Sequence, residues 1–281
     1  MRPIKNIKWR FSLASLVLAS LAVLVLAIVA LDRLYPPPLH LAKTGVVVTD
    51  HQGRWLHGFP VQVSEGDIRW RLAADLKNID EGFVEHLLTI EDKRFLSHPG
   101  VDGLAVIRAF GSFVSSGEIV SGASTITMQT ARLLEPRPRN LGSKIVEMIR
   151  ALQIEARLSK AEILELYLTL APYGGNIEGV RAASLSYFGK EPQHLTDAQI
   201  AMLIALPQSP EARRPDRRPQ IAKAARDDIL DRLALGKGLS LVRAAEAKQA
   251  GIPTNRKPFK RLAWHAALAS AKNFPAGGEV A

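Results

Sequence analysis

From Phe11 to Leu31 the chain runs without one charged residue, and this stretch limits the fold more than any other. A helix needs about 20 apolar residues to cross a bilayer. Arg2, Lys5, Lys8 and Arg10 precede the stretch, and an excess of lysine and arginine stays on the cytoplasmic side. Residues 1–10 are therefore expected as a cytoplasmic basic tail, 11–31 as a transmembrane helix, and the body as lying outside the inner membrane. A cleaved signal peptide carries a shorter apolar region, roughly 7–15 residues, and a small-x-small site, which Ile28 and Ala30 fill poorly.

With 281 residues, 47% of them hydrophobic, the chain can bury one core with a smaller lobe. The net charge of +10 is carried at the two ends, on the first ten residues and on the arginine-rich segment from Glu211 to Arg261. A nucleic-acid groove would place basic residues and stacking aromatics on the folded body, and only 6% of the residues are aromatic. No nucleic-acid partner is expected. Basic segments on an anchored protein suit anionic lipid or anionic lipid-linked ligands, unless they are merely a solvated surface. The absence of cysteine excludes disulfides and thiol chemistry.

Tyr35-Pro36-Pro37-Pro38 reads as a stiff linker. "TGVVVTDHQGRWLHGF" has a β-branched run, a turn at Asp50 to Gly53 and a second run, the pattern of a hairpin. Residues 32–75 are thus a linker with a short β element, and from 76 the pattern is helical. Glu81 to Ile90 is amphipathic through Phe83, Leu87, Leu88 and Ile90. Gly142 to Leu158 carries a stripe of Ile145, Met148, Ile149, Leu152 and Ala156, expected to face the core. That leaves Lys144 and Glu147 on the opposite, open face, toward a cleft or toward bulk water.

Ser159 with Glu162, and Thr196 with Gln199, each form the reciprocal capping box that opens a helix. The second helix, "IAMLIALP", is apolar on all sides and is expected to be central and buried, ending before Pro207. Between Gly103 and Asn140 no single period aligns the apolar residues. A lobe that touches lipid and an ordinary surface loop both fit that pattern. Residues 211–281 read as a basic C-terminal linker region, outside a domain spanning 76–210.

The chemistry concentrates in "LLTIEDKRFLSHPGVD". Glu91 follows Ile90 on an apolar helical run, a setting that suits a general base. The plainer alternative is a salt bridge to Lys93 or Arg94. Two other motifs fail on inspection. "YFGK" lacks the first glycine of a phosphate loop, since Ser184 stands there. Lys43-Thr44-Gly45 has no S-x-x-K or S-D-N companion, so no transpeptidase module is expected.

"EDKRFLSHPGVD" resembles the first motif, E-D-x-x-F-x-x-H-x-G-x-D, of the peptidoglycan glycosyltransferases of family 51, the lipid-facing module of class A penicillin-binding proteins. "GASTITMQTAR" at 122–132, "SKIVE" at 143–147, "KAEILELYLT" at 160–169 and "GVRAASLSYFGK" at 179–190 resemble the other four motifs in the family's order. The departures are Ala123 for glycine, Met128 for glutamine, Ser143 for arginine and Thr169 for asparagine. The lost arginine removes a phosphate-binding cation, so altered substrate handling is expected.

The resemblance implies a mainly α, lysozyme-like domain with a smaller membrane-proximal lobe. It also implies polymerisation of lipid II into β-1,4-linked glycan with release of undecaprenyl pyrophosphate, by an inverting transfer. In that reading Glu91 is the base and Glu147 the second carboxylate. Glu147 would hold a divalent ion, magnesium or manganese, or position the cations around the pyrophosphate. No organic cofactor is expected. Ser124, Thr125, Thr127, Gln129, Arg132, Lys144 and Arg150 are the implied donors to substrate. Asp92 and His98 either support Glu91 or serve structure alone, Phe95 and Tyr167 line the site or pack the core, and Lys160 matches a family position. The expected partners are lipid II, the growing lipid-linked chain, inner-membrane lipid and other cell-wall synthesis proteins. A glycan hydrolase using Glu91 as acid and an inactive precursor-binding scaffold are the competing functions.

Overall fold

The computed structural model describes residues 13–108, 124–262, 264–272 and 278–280. The basic residues 2–10 and the middle of the loosened segment, 109–123, lie outside the described residues. Two compact units divide at Pro37 and Pro38. The first contains α1 (Leu13–Leu34), 22 residues long, whose described Leu18, Leu21, Val23 and Leu26 are all exposed. Among the described residues no helix is long and apolar enough to cross a membrane. The span expected at 11–31 falls on α1, where several side chains lie outside the described residues.

The second unit begins with the expected hairpin, β1 (Val46–Thr49) and β2 (Trp55–Phe59), paired antiparallel. Its turn closes because Asp50 accepts the backbone N–H groups of Gln52 and Arg54 on one carboxylate oxygen, with Gly53 at φ 74°. A second hairpin, β3 (Val61–Ser64) and β4 (Asp67–Arg71), follows directly. The two-residue strand β5 (Ile177–Glu178) joins β4 in parallel. From Pro38 onward the segment expected as a linker with a short β element belongs to the second unit, and it carries four strands between Val46 and Arg71.

The core is helical. α2 (Glu81–Glu91) is opened by Asp80, whose carboxylate accepts the Phe83 N–H, and it buries Phe83 and Leu87. α3 occupies residues 103–108. α4 (Ile126–Leu134) is a helix where the sequence shows no period, because its inner face mixes Ile126, Met128 and Leu134 with Thr127 and Thr130. Thr130 conceals its hydroxyl by donating to the Ile126 carbonyl one turn back. α5 (Leu141–Glu155) and α6 (Lys160–Leu170) follow, α6 opened by the expected capping box of Ser159 and Glu162. α7 (Val180–Phe188) starts at Gly179, φ 85°, where a Cβ would lie 2.8 Å from the Thr169 carbonyl oxygen. α8 (Asp197–Ala205) has its capping box and is buried on all sides, as expected, and passes into a short 3₁₀ turn, Leu206–Gln208, through Pro207.

Two expectations need correction. The apolar stripe of α5 faces outward: Ile145, Ile149 and Leu152 are 59%, 52% and 48% exposed, while Glu147, Ala151 and Ile154 are buried. The spacing was read correctly, but charge does not mark the solvent side here. In addition, residues 211–281 do not form a linker. α9 (Pro219–Leu235) buries Ile229, Leu230 and Leu233 in the same core as α8, and α10 (Leu241–Lys248) packs beside it.

Much of the basic charge is spent inside. Arg226, 1% exposed, donates to the Ala250 and Lys248 carbonyls and pairs with Asp227, and Arg214 and Arg256 converge on Asp216. Phe259 then stacks on Trp70 at 4.0 Å. α11 (Trp264–Lys272) and β6 (Gly278–Val280) return to the first hairpin, β6 pairing parallel with β1.

This packing separates two substitutions. Leu230→Ala, at a fully buried position, should cost about 2–5 kcal/mol, and Ile149→Ser should change stability by no more than about 0.5 kcal/mol. Urea unfolding of both variants is the check. A large loss from Ile149→Ser would return the α5 stripe to the core, and a negligible loss from Leu230→Ala would return α9 to a linker.

Candidate active site

Glu91 and Asp92 are consecutive and do different work. α2 ends at Glu91, and Asp92 turns inward, 7% exposed. Its Oδ2 accepts the Ile126 N–H at 2.9 Å, one of the free donors at the start of α4. His98 donates Nε2–H to the same carboxylate at 3.0 and 3.1 Å, its tautomer fixed because Nδ1 accepts the Gly100 N–H. Thr125 caps α4 by accepting the Met128 N–H and donates to the Gly100 carbonyl. Gly100 sits at φ 91° with a Cβ position 2.8 Å from the Ala151 oxygen of α5, so only glycine lets this loop lie against α5. Arg94 makes a two-pronged pair with Asp102, which also accepts the Ala105 N–H and so opens α3.

With its neighbour fixed, Glu91 faces a cleft of about 610 Å³. Its hydrogen-bond partners are neither Lys93 nor Arg94. Its two oxygens accept one side-chain amide N–H each, from Gln129 of α4 at 2.9 Å and from Gln208 of the 3₁₀ turn at 2.8 Å. Tyr167 of α6 directs its hydroxyl toward the Gln129 Oε1 at 3.5 Å. Burial first, and then the Glu91 charge, hold the Tyr167 phenol well above its ordinary pKa, so it stays a neutral hydroxyl. Arg132, Arg137, Arg139 and Arg232 also line this cleft. Among the described residues lining it, Glu91 alone carries a carboxylate. A second recess of about 390 Å³, lined by Lys93, Arg94 and Arg108, shares Ile90, Glu91 and Ser124 with the first. Glu91 thus stands at the junction of two recesses.

Ser124 links this junction to the second carboxylate, since Lys144 Nζ donates to Ser124 Oγ and lies 3.2 Å from Glu147 Oε2. Glu147 is 8% exposed, so it is enclosed rather than open. It does not fit a metal held by the protein alone: its partner is the Lys144 ammonium, and among the described residues no three His, Asp or Glu side chains gather.

The sequence-selected residues therefore fall into two groups. Glu91, Ser124, Gln129, Arg132 and Tyr167 line the cleft, with Lys144 and Glu147 joined through Ser124. Asp92, Phe95, His98, Thr125, Thr127 and Lys160 are tied into the wall behind it. Thr127 and Lys160 both donate to Glu155, and Lys160 also reaches the His98 carbonyl and lies over the Phe95 ring at 4.5 Å. Arg150 pairs with Glu135 on the α5 surface.

Of the departures, Met128 is buried, Thr169 accepts the Ala74 N–H, and Ala123 lies outside the described residues. Ser143 donates its N–H to the Asn140 cap. Residues the sequence did not single out are Gln208, Arg137, Arg139 and Arg232. The Leu-Pro-Gln-Ser-Pro turn and the run of arginines after α4 were the available signals.

The chain matches the Transglycosylase family over residues 60–234. It is 44% identical over 212 residues to penicillin-binding protein 1C of Escherichia coli (strain K12), covering 75% of this chain and 27% of that protein. It is 38% identical over 169 residues to penicillin-binding protein 1A of Pseudomonas aeruginosa, covering 60% and 20%. A putative transglycosylase of Cupriavidus necator is 41% identical over 148 residues, 52% of this chain and 64% of that one. The crystal structure of penicillin-binding protein 1A from Haemophilus influenzae aligns over 82% of this chain and 24% of its own, with TM-score 0.43 and 18% identity. The chain spans about a quarter of the length of the penicillin-binding proteins it matches. By its matched residues and its five ordered motifs, the chain belongs to the Transglycosylase family and carries the family 51 glycosyltransferase module.

Proposed function

We propose that this chain polymerises lipid II, joining the 4-hydroxyl of one lipid-linked disaccharide to the anomeric carbon of a chain held on undecaprenyl pyrophosphate. The observation that carries the reading is Glu91, the one carboxylate among the described residues of the larger recess, placed where that recess meets the smaller one and with arginines around it. As the acceptor oxygen bonds to the anomeric carbon, Glu91 takes its proton and the carbon–oxygen bond to pyrophosphate breaks on the opposite face, inverting the centre. The departing electrons stay on an already anionic pyrophosphate, which needs no acid to leave. A glycosidase cleaves a glycosidic acetal and uses a pair of carboxyl groups flanking it. The other carboxylates of the smaller recess are engaged, Asp92 by Ile126 and His98 and Asp102 by Arg94, and Glu91 among cations suits transfer from pyrophosphate better than hydrolysis.

Lys144, with Ser124 and Arg132, would receive the developing charge. Glu147 holds the Lys144 ammonium in place at 3.2 Å. Arg137 and Arg139, shortly before α5, and Arg232 of α9 offer cations near a site from which Ser143 has removed one. In this reading α1 anchors the chain in the inner membrane with its N-terminus cytoplasmic. The outward stripe of α5, with Leu104 and Ile107 of α3 also exposed, rests on lipid beside the carrier's tail.

Two substitutions test the assignment in a polymerisation assay with labelled lipid II. Glu91→Gln keeps the size and loses the base, and should lower kcat by about 10²–10⁴-fold with the thermal midpoint unchanged. Retained polymerisation by the folded variant would remove Glu91 as the base, and fragments released from finished glycan by the parent would favour hydrolysis. Glu147→Gln frees Lys144 from its partner and should lower kcat by about 10²-fold. An effect confined to membrane association would take Glu147 out of the pyrophosphate site.

A further inference from the structure

We propose that Gln208, held by Arg213, is a positioning residue that aims the Glu91 carboxylate at the acceptor hydroxyl. The assignment rests on the transferase reading above. The Gln208 amide is oriented from both ends. Its Oε1 accepts from Arg213 Nη1 at 2.8 Å, which leaves Nε2 to donate to Glu91 Oε1 at 2.8 Å. The same Arg213 nitrogen donates to the Ala205 carbonyl at 2.7 Å, at the end of α8. The clamp is therefore anchored to the most enclosed helix of the core, and Pro207 and Pro210 stiffen the turn that carries Gln208.

Gln129 holds the other oxygen of Glu91. With one amide donor on each oxygen the carboxylate cannot rotate freely, and its remaining lone pairs are directed into the recesses. The chemistry of the clamp also matters. A guanidinium in direct contact would pair with the base and weaken it, whereas an amide donates without neutralising it. The cation stands one residue back and polarises that amide.

Other charged or titratable groups near Glu91 come from several elements. Arg132 of α4, Arg137 and Arg139 after it, Tyr167 of α6 and Arg232 of α9 line the larger recess. Asp92, Lys93, Arg94, Asp102 and Arg108 line the smaller one. Arg94 and Asp102 neutralise each other, and Asp92 is bonded to Ile126 and His98. None of these donates a hydrogen bond to Glu91, so the two amides set its direction.

The test is the pH dependence of kcat and KM in the full chain with lipid II, for the parent, Gln208→Met, Gln208→Glu and Arg213→Met. Gln208→Met should lower kcat by about 10²-fold, the scale of a misaimed catalytic group, with KM changed less than about twofold. It should also raise the midpoint of the acidic limb, because a donor to the anion is lost. Gln208→Glu should raise that midpoint further, since two carboxylates in hydrogen-bond reach resist joint ionisation. Arg213→Met should resemble Gln208→Met, and the double variant should be no worse than either alone.

Parental kcat and pH profile in Gln208→Met, or a loss in KM alone with the acidic limb unmoved, would overturn the proposal. A parent that makes no polymer counts against the transferase reading instead. A crystal structure of the chain is the arm independent of turnover: a Gln208 amide bonded to Glu91 upholds the clamp, and one turned away from it overturns the clamp whatever the activity.

Discussion

The buried carboxylate of Asp92 is the tie on which the site depends. It meets a free N–H at the start of α4 and the Nε2–H of His98, thereby joining the end of α2, the following loop and α4 at one point. Hydrogen bonds to an ionised, enclosed acceptor are worth about 1.5–3 kcal/mol each. Glu91 is the adjacent residue, so fixing Asp92 inward turns Glu91 outward, opposite Gln129 and Ser124. The motif that begins with two acids thus divides its labour, the second acid setting the backbone that presents the first. His98, Gly100 and Thr125 complete the same lock through the loop and the α4 cap.

Much of this was legible in the sequence. Helices α2, α6 and α8 follow from their apolar spacing and caps, because their inner faces are almost wholly apolar. α4 was hidden because two threonines occupy its inner face and satisfy their hydroxyls locally or on Glu155. The α5 periodicity put Glu147 opposite the isoleucines, which is correct, but assigning the apolar side to the interior inverted the helix. An apolar stripe can face the core or the outside, and spacing alone does not tell the two apart.

The C-terminal segment differs from its sequence pattern for a related reason. Its arginines read as a solvated or lipid-facing run, whereas Arg214, Arg226 and Arg256 are internal ties that bond carbonyls and carboxylates. Gln208 and Arg232 were invisible as site residues because their partners lie more than a hundred residues away. The position of Glu91 in an ordered motif was visible, but the two amides that aim it come from α4 and from the turn after α8. Both of those elements gain their places through long-range packing.

The most direct test of the central claim is a crystal structure of the chain with a non-transferable lipid-linked pyrophosphate donor and a disaccharide acceptor. The account predicts the acceptor 4-hydroxyl within about 3 Å of a Glu91 oxygen and the pyrophosphate on the side of Ser124, Arg132 and Lys144. An acceptor hydroxyl far from Glu91, or a pyrophosphate bound away from those three side chains, would contradict it.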